Sequence, residues 1–130
     1  MFEYQVAVRG YEIDSYQHLN NAVYLNYVEQ ARWEILRESG LLEKYKERSL
    51  LLVVIEANVK FIREILIFDN LNIKTSITTL GPYVIFTHLI YNLKTEIKVS
   101  EATVKCLFVE RDRIPVDVPE EFLEFITNHA

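Results

Sequence analysis

Between Asp14 and Asn21 the chain sets a carboxylate (Asp14), an imidazole (His18) and two adjacent amides (Asn20 and Asn21), with Tyr24 following closely. A carboxylate can take a proton from water or attack an acyl carbon itself. Beyond these residues the sequence turns helical. The start of a helix offers unpaired N–H groups and a partial positive charge, which polarise a carbonyl and hold the oxyanion formed on attack. Those are the two parts that ester or thioester hydrolysis requires. The same spacing also describes an ordinary polar loop. In that reading Asp14 is a turn or capping residue, and Asn20 or Asn21 caps the helix. His18 then either contacts substrate or ties the loop together. Asn21 is a cap or a ligand of water or carbonyl, and Tyr24 belongs to the core or to the site.

The elements that hold these residues follow from the hydrophobic period. Phe2, Tyr4, Val6 and Val8 alternate with polar neighbours and predict a strand. Tyr24, Tyr27, Val28, Ala31 and Ile35 recur at helical spacing. They predict a helix from about Ala22 to Ser39, roughly 27 Å long at 1.5 Å per residue, with its stop at Gly40. A short second helix is predicted over Leu41 to Arg48. The period then returns to two. Val53, Ile55, Ala57, Val59 and Phe61 are expected to share one strand face, and Leu71, Ile73 and Ile77 another. After the Gly81-Pro82 turn, Tyr83 to Tyr91 is apolar on both faces and predicts a strand buried on both sides. Ala102, Val104, Cys106 and Phe108 mark a further strand, and Pro119 opens a last helix to about Asn128. Short turns make neighbouring strands antiparallel, and one long apolar helix against such a sheet is an α+β architecture. Unrelated folds share that plan, so it names no function.

Composition narrows the field. The chain has 130 residues, the size of one ordinary domain, and shows no linker or repeat, so residues 1–130 read as one domain. Half of the residues are hydrophobic and 12% are aromatic, which excludes a disordered chain. Lys plus Arg total 14 against 19 Asp plus Glu, a net charge of -5 that argues against nucleic-acid binding. No segment approaches the ~18 apolar residues of a membrane span, and the N-terminus lacks a signal pattern. With Cys106 as the one cysteine, no intrachain disulfide is available, and a cytoplasmic setting is expected. Cys106 sits on an apolar strand face and reads as core. So does His88, within the most apolar strand. His18, His88 and His129 lack metal-ligand spacing, so neither metal nor cofactor is expected. No Gly-Xaa-Ser-Xaa-Gly elbow occurs, which removes the α/β-hydrolase reading. Glu29 and Arg32 stand three apart on the long helix and could pair.

The stretch from Val8 to Trp33 resembles the signature of the hotdog-fold thioesterases related to 4-hydroxybenzoyl-CoA thioesterase, and within them the bacterial long-chain acyl-CoA thioesterases of the FadM type. The resemblance rests on Val8-Arg9-Gly10-Tyr11, Asp14, Tyr16-Gln17-His18, Asn20-Asn21-Ala22, Tyr24-Leu25, Glu29 and Ala31-Arg32-Trp33. Weaker similarity runs from Asn58 through Asp69 and on to Val109. Some members carry Gly at the position of Gln17 and His at that of Asn21; the Gln-His-Xaa-Asn-Asn pattern selects the FadM-like branch. At Ile62 and Glu64 relatives often have a basic residue and a proline.

The resemblance implies a hotdog fold, a long central helix wrapped by a curved antiparallel sheet. It implies Asp14 as the catalytic carboxylate, with His18, Asn21 and Tyr24 around the substrate at the helix start. It implies an acyl-CoA or acyl-carrier-protein thioester as substrate and a homodimer or homotetramer that places substrate between protomers. Water activated by Asp14, or Asp14 attacking to form a mixed anhydride, would serve equally. Lys60, Arg63, Arg111 and Arg113 are available for CoA phosphates, or are strand-end surface charges. Competing readings are a hotdog hydratase or dehydratase with an Asp/His pair over an enoyl thioester, and an acyl-binding module without turnover.

Overall fold

The computed structural model describes residues 1–129. Strand β1 (Phe2–Ala7) leads through a short 3-10 turn at Gly10–Glu12 and a polar loop into α1 (Asn21–Glu38). Helix α2 (Leu41–Glu47) follows, then β2 (Leu51–Phe61), β3 (Asn70–Leu80), β4 (Tyr83–Asn92), β5 (Lys98–Val109) and α3 (Glu120–Asn128). The five strands form one antiparallel sheet in the order β1-β3-β4-β5-β2. The apolar stripe of α1, Tyr24, Tyr27, Val28, Ala31 and Ile35, is buried in one cluster with the inner face of the sheet. Burying a large apolar side chain is worth ~1.5–3 kcal/mol, so this stripe anchors the helix whose start carries the polar loop. The result is the α+β hotdog plan.

Helix α1 begins one residue earlier than its period predicts because Asn20 is the cap. Its side-chain oxygen accepts the Ala22 N–H at 3.0 Å. At the other end Gly40 adopts a left-handed φ of 80°, which ends α1 and starts α2.

Two strand expectations need correction. In β2 the register with β5 slips between Val54 and Glu56, so Ile55 is an extra, bulged residue. The bulge switches parity. Val54 lies opposite Cys106, while Ala57 and Val59 lie opposite Val104 and Ala102. The inward face is therefore Leu52, Val54, Ala57, Val59 and Phe61, not Val53 and Ile55 with the last three. Strand β4 is buried on one face only. Val84, Phe86, His88 and Ile90 are buried, but Ile85, Thr87 and Leu89 between them are half-exposed. The helix layer covers a single side of the sheet. On the other, the Lys105 and Lys74 ammonium groups sit over the Tyr83 and Tyr91 rings, 4.2 and 5.1 Å from their centres. Among the described residues no helix is long and apolar enough to cross a membrane.

Candidate active site

The polar loop is folded around Asp14. Its Oδ1 accepts the backbone N–H of Tyr16 at 2.9 Å and of His18 at 3.2 Å. Its backbone N–H donates to the His18 carbonyl at 2.8 Å, and its carbonyl accepts the Gln17 N–H at 3.0 Å. Closing so tight a turn puts Gln17 at a left-handed φ of 64°. Asp14 thus does cap the loop, but with one oxygen. No hydrogen bond from a described residue reaches the other, Oδ2.

Asp14, His18, Asn21 and Tyr24 all line one open cavity of about 260 Å³, closed on its far side by Phe61, Arg63 and Glu64. Asn21 opens α1 and is exposed to this space. The N–H groups of Ala22 and Val23 are taken by the Asn20 side chain and carbonyl. The Asn21 N–H has no acceptor among the described residues, so it remains available to a ligand oxygen. The Tyr24 ring is buried edge-on against Phe61, 4.8 Å between centres. Burial raises its hydroxyl's pKa, and the Asp14 charge adds to the rise. His18 points elsewhere: its Nε2 lies 2.8 Å from the Glu64 carboxylate, which bridges the loop to the segment after β2. Asp14 and His18 therefore do not form the side-chain pair that a hydratase reading needs. Of the four cations considered for CoA phosphates, only Arg63 lines this cavity, and all four are exposed.

Behind the loop stands a cluster absent from the sequence reading. Glu12 is buried and receives the backbone N–H, Nε and Nη2 of Arg9 at 2.9, 2.9 and 3.0 Å. It also receives the Tyr27 hydroxyl at 2.6 Å, while its carbonyl accepts the Asn20 N–H at 2.9 Å. Burial pushes the Glu12 carboxyl up, but the hydrogen bonds from Arg9 and Tyr27 together hold it below its usual range. One side chain thereby ties the end of β1, the Asp14 loop and α1 together. Its only sequence signal is an acidic residue one turn after Arg9; Tyr27 lies too far along the chain to suggest itself.

Glu29 and Arg32 do not pair. Glu29 accepts the Trp33 Nε1–H at 3.3 Å, and Arg32 turns inward to His88 Nε2 at 3.2 Å. Because arginine can only donate, Nε2 accepts, and Nδ1–H donates to Thr75 Oγ1 at 2.7 Å. Burial, with Arg32 adding to it, pushes His88 down to about 3, so it is neutral. His88 is a core histidine satisfied on both nitrogens. Cys106 is buried opposite Val84 of β4, its thiol pushed up to about 11 by burial, which suits core rather than a nucleophile. Among the described residues no group of three or more His, Cys, Asp or Glu side chains is placed to hold a metal.

A helix start, a carboxylate with one free oxygen and a hotdog sheet define a class, and comparison with known proteins agrees. The chain belongs to the thioesterase-like superfamily, whose family model matches residues 8–126. Membership places it among thioester hydrolases. It is 37% identical over 77 residues to the long-chain acyl-CoA thioesterase FadM of Escherichia coli (strain K12), an alignment spanning 59% of this chain and 58% of that protein. It is 28% identical over 130 residues to the chloroplastic acyl-acyl carrier protein thioesterase ATL3 of Arabidopsis thaliana, covering 95% of this chain and 68% of the relative. The crystal structure of YbaW, a probable thioesterase from Escherichia coli, superposes with a TM-score of 0.87 at 28% identity, covering 95% of each chain.

Proposed function

We propose that this protein hydrolyses acyl-CoA thioesters to the free acid and CoA, with Asp14 as the catalytic carboxylate. The observation that carries the reading is Asp14 itself. One oxygen is locked into the loop and orients the group, the other accepts no hydrogen bond from a described residue, and Asp14 lines a cavity shared with the first turn of α1. A thioester carbonyl oxygen seated at the Asn21 N–H meets the positive end of the helix, which stabilises the charge that grows on attack. Asp14 Oδ2 then takes a proton from water, or attacks the carbonyl carbon and is released by hydrolysis of the mixed anhydride. His18, Asn21 and Tyr24 border the substrate. His18 acts through its tie to Glu64, and Tyr24 supplies an apolar wall. The name of FadM supports a long acyl chain, and the names of FadM and ATL3 together leave CoA and acyl-carrier protein both as carriers to assay. The missing Asp/His side-chain pair weighs against an enoyl hydratase.

The active unit is at least a dimer. Strand β2 is an edge of the sheet, and its Leu51, Val54, Ile55 and Phe61 are all about half-exposed. Tyr11 and Tyr16 on the catalytic loop are more exposed still, at 83% and 79%. An unprotected apolar edge is a pairing surface, and a two-fold dimer is the commonest way to close it. A thiol-release assay over acyl-CoA lengths, run with light scattering through a dilution series, tests both statements. Turnover of saturated acyl-CoA that fades as dimers dissociate is expected. Tight acyl-CoA binding without thiol release, or full activity as a monomer, refutes the corresponding half.

A further inference from the structure

Tyr24 and Tyr27 stand three apart on the buried stripe of α1 and dispose of their hydroxyls differently. Tyr27 donates to Glu12 at 2.6 Å. Tyr24 is only 4% exposed, yet its hydroxyl has no hydrogen-bond partner among the described residues. A buried phenol ordinarily finds a partner, because a hydroxyl taken from water and left unbonded is costly. If packing against Phe61 were the whole task, phenylalanine would serve as well.

Tyr45 shows an unbonded phenol that only packs. Its hydroxyl is fully enclosed, and its ring is wedged against Phe108 and Phe122. The Tyr24 hydroxyl is not enclosed in this way. Tyr24 lines the cavity of about 260 Å³ that Asp14 and Asn21 also line, so its partner is a molecule in that space. Burial, and then the Asp14 charge, raise the pKa of this phenol. It therefore keeps its proton and acts as a donor. Asp14 brings the complementary group, since Oδ1 is engaged by the loop while Oδ2 accepts no hydrogen bond from a described residue. A water held in place needs about two to four polar partners. Here it can donate to Oδ2 and accept the Tyr24 O–H, which leaves one lone pair for an acyl carbon.

We propose that the Tyr24 hydroxyl and Asp14 Oδ2 hold the attacking water between them, so that this chain hydrolyses its thioester by direct attack of water and not through an anhydride on Asp14. The inference deepens the thioesterase reading above and rests on it. Oδ2 takes one proton of the water as the water oxygen bonds to the acyl carbon, and the carbonyl oxygen becomes an oxyanion at the Asn21 N–H. The C=O bond then re-forms, the C–S bond breaks, and the proton on Asp14 passes to the departing CoA sulfur. Free acid and thiol leave, and Tyr24 ends with the proton it began with.

Tyr24→Phe keeps the ring against Phe61 and removes only the hydroxyl. It should lower kcat on saturated acyl-CoA roughly 10–100-fold, the scale of one buried hydrogen bond, with KM and melting temperature nearly unchanged. An unchanged kcat overturns the proposal. In a double-mutant cycle the same substitution should cost less than about threefold once Asp14→Asn is present, because the two groups serve one water. Full additivity gives Tyr24 a separate task and overturns the shared water. The wild type supplies a measurement that needs no variant to fold. A single turnover in heavy-oxygen water should label the released acid and leave Asp14 unlabelled; label in the Asp14 peptide reveals an anhydride and overturns the water route. A thioether analogue of acyl-CoA, which cannot be hydrolysed, reads binding alone. Its Kd should be equal in wild type and Tyr24→Phe, since the hydroxyl touches water and not the ligand; a loss of about tenfold or more overturns the inference. A wild type that binds the analogue but releases no thiol from any acyl-CoA refutes the thioesterase reading and the inference with it. An active wild type with an equally active Tyr24→Phe refutes the inference alone.

Discussion

The two ends of α1 are built on opposite terms. At the N-terminal end backbone and side-chain polar groups are bonded to one another: Asp14 Oδ1 to the loop, Asn20 to Ala22, and Glu12 to Arg9 and Tyr27. At the C-terminal end Trp33, Leu36, Leu42 and Leu50 line a larger, mostly apolar space of about 490 Å³, with Glu43 and Lys46 as its charged lining residues. A carboxylate that must act on one bond needs its position held to a fraction of an ångström, which dense hydrogen bonding achieves. An alkyl chain has no direction to read. It needs only volume and dry walls, because its binding scales with the apolar area it removes from water.

Substitutions at the two ends should therefore fail in different ways. The largest effect belongs to the polar end. Asp14→Asn keeps the shape and the Oδ1 contacts but removes the base, and turnover should fall ~10²–10⁴-fold at every chain length with little change in melting temperature. Near wild-type turnover in this variant would sink the assignment of Asp14.

Glu12→Ala comes next and should lower stability more than it alters chemistry. Removing a buried carboxylate strands the Tyr27 hydroxyl and the Arg9 guanidinium, at a cost of about 3 kcal/mol. Chemical denaturation measures it. If stability is kept while octanoyl-CoA turnover collapses, Glu12 belongs to the reaction rather than to its scaffold.

Between the two ends, pH separates the buried groups. His88 has an ordinary value of 6.5 and a folded value of about 3. Below pH 6.5 the unfolded chain takes up a proton that the folded one refuses, so stability is full above that pH and is lost as pH falls toward 3. Glu12, lowered from 4.5, adds its own loss only below that value. Melting temperature should decline between pH 6.5 and 4.5, and the decline should shrink in His88→Gln. An equal slope in that variant would assign the decline to other groups.

The smallest effect is expected at Cys106, buried opposite Val54 in the β2–β5 pair. Cys106→Ala should cost roughly 1 kcal/mol as a truncation in a packed interior and leave turnover per folded molecule nearly unchanged. Loss of activity on treating the folded protein with a small thiol reagent, absent in Cys106→Ala, would contradict this.

Much of the polar end was legible in the chain itself, for a local reason. Asp14, His18, Asn21 and Tyr24 lie within about three helical turns of sequence, so one tight loop and one helix start, capped by Asn20, bring them to a common cavity. The stripe from Tyr24 to Ile35 was legible for the same reason, since helical period acts between neighbours. Everything decided at long range had to wait for the fold. Glu12 finds Tyr27 across the loop, Arg32 prefers His88 to the Glu29 one turn away, and a single bulged residue, Ile55, turns half of β2 over. None of these leaves a periodic trace. Each is settled by which partner a buried polar group or a strand meets once the sheet has closed, because an unpaired group there costs more than any local preference returns. The apolar cavity is the extreme case. Its leucines and Trp33 are ordinary core residues by sequence, and only the packing of α2 against α1 and β2 leaves the space between them empty.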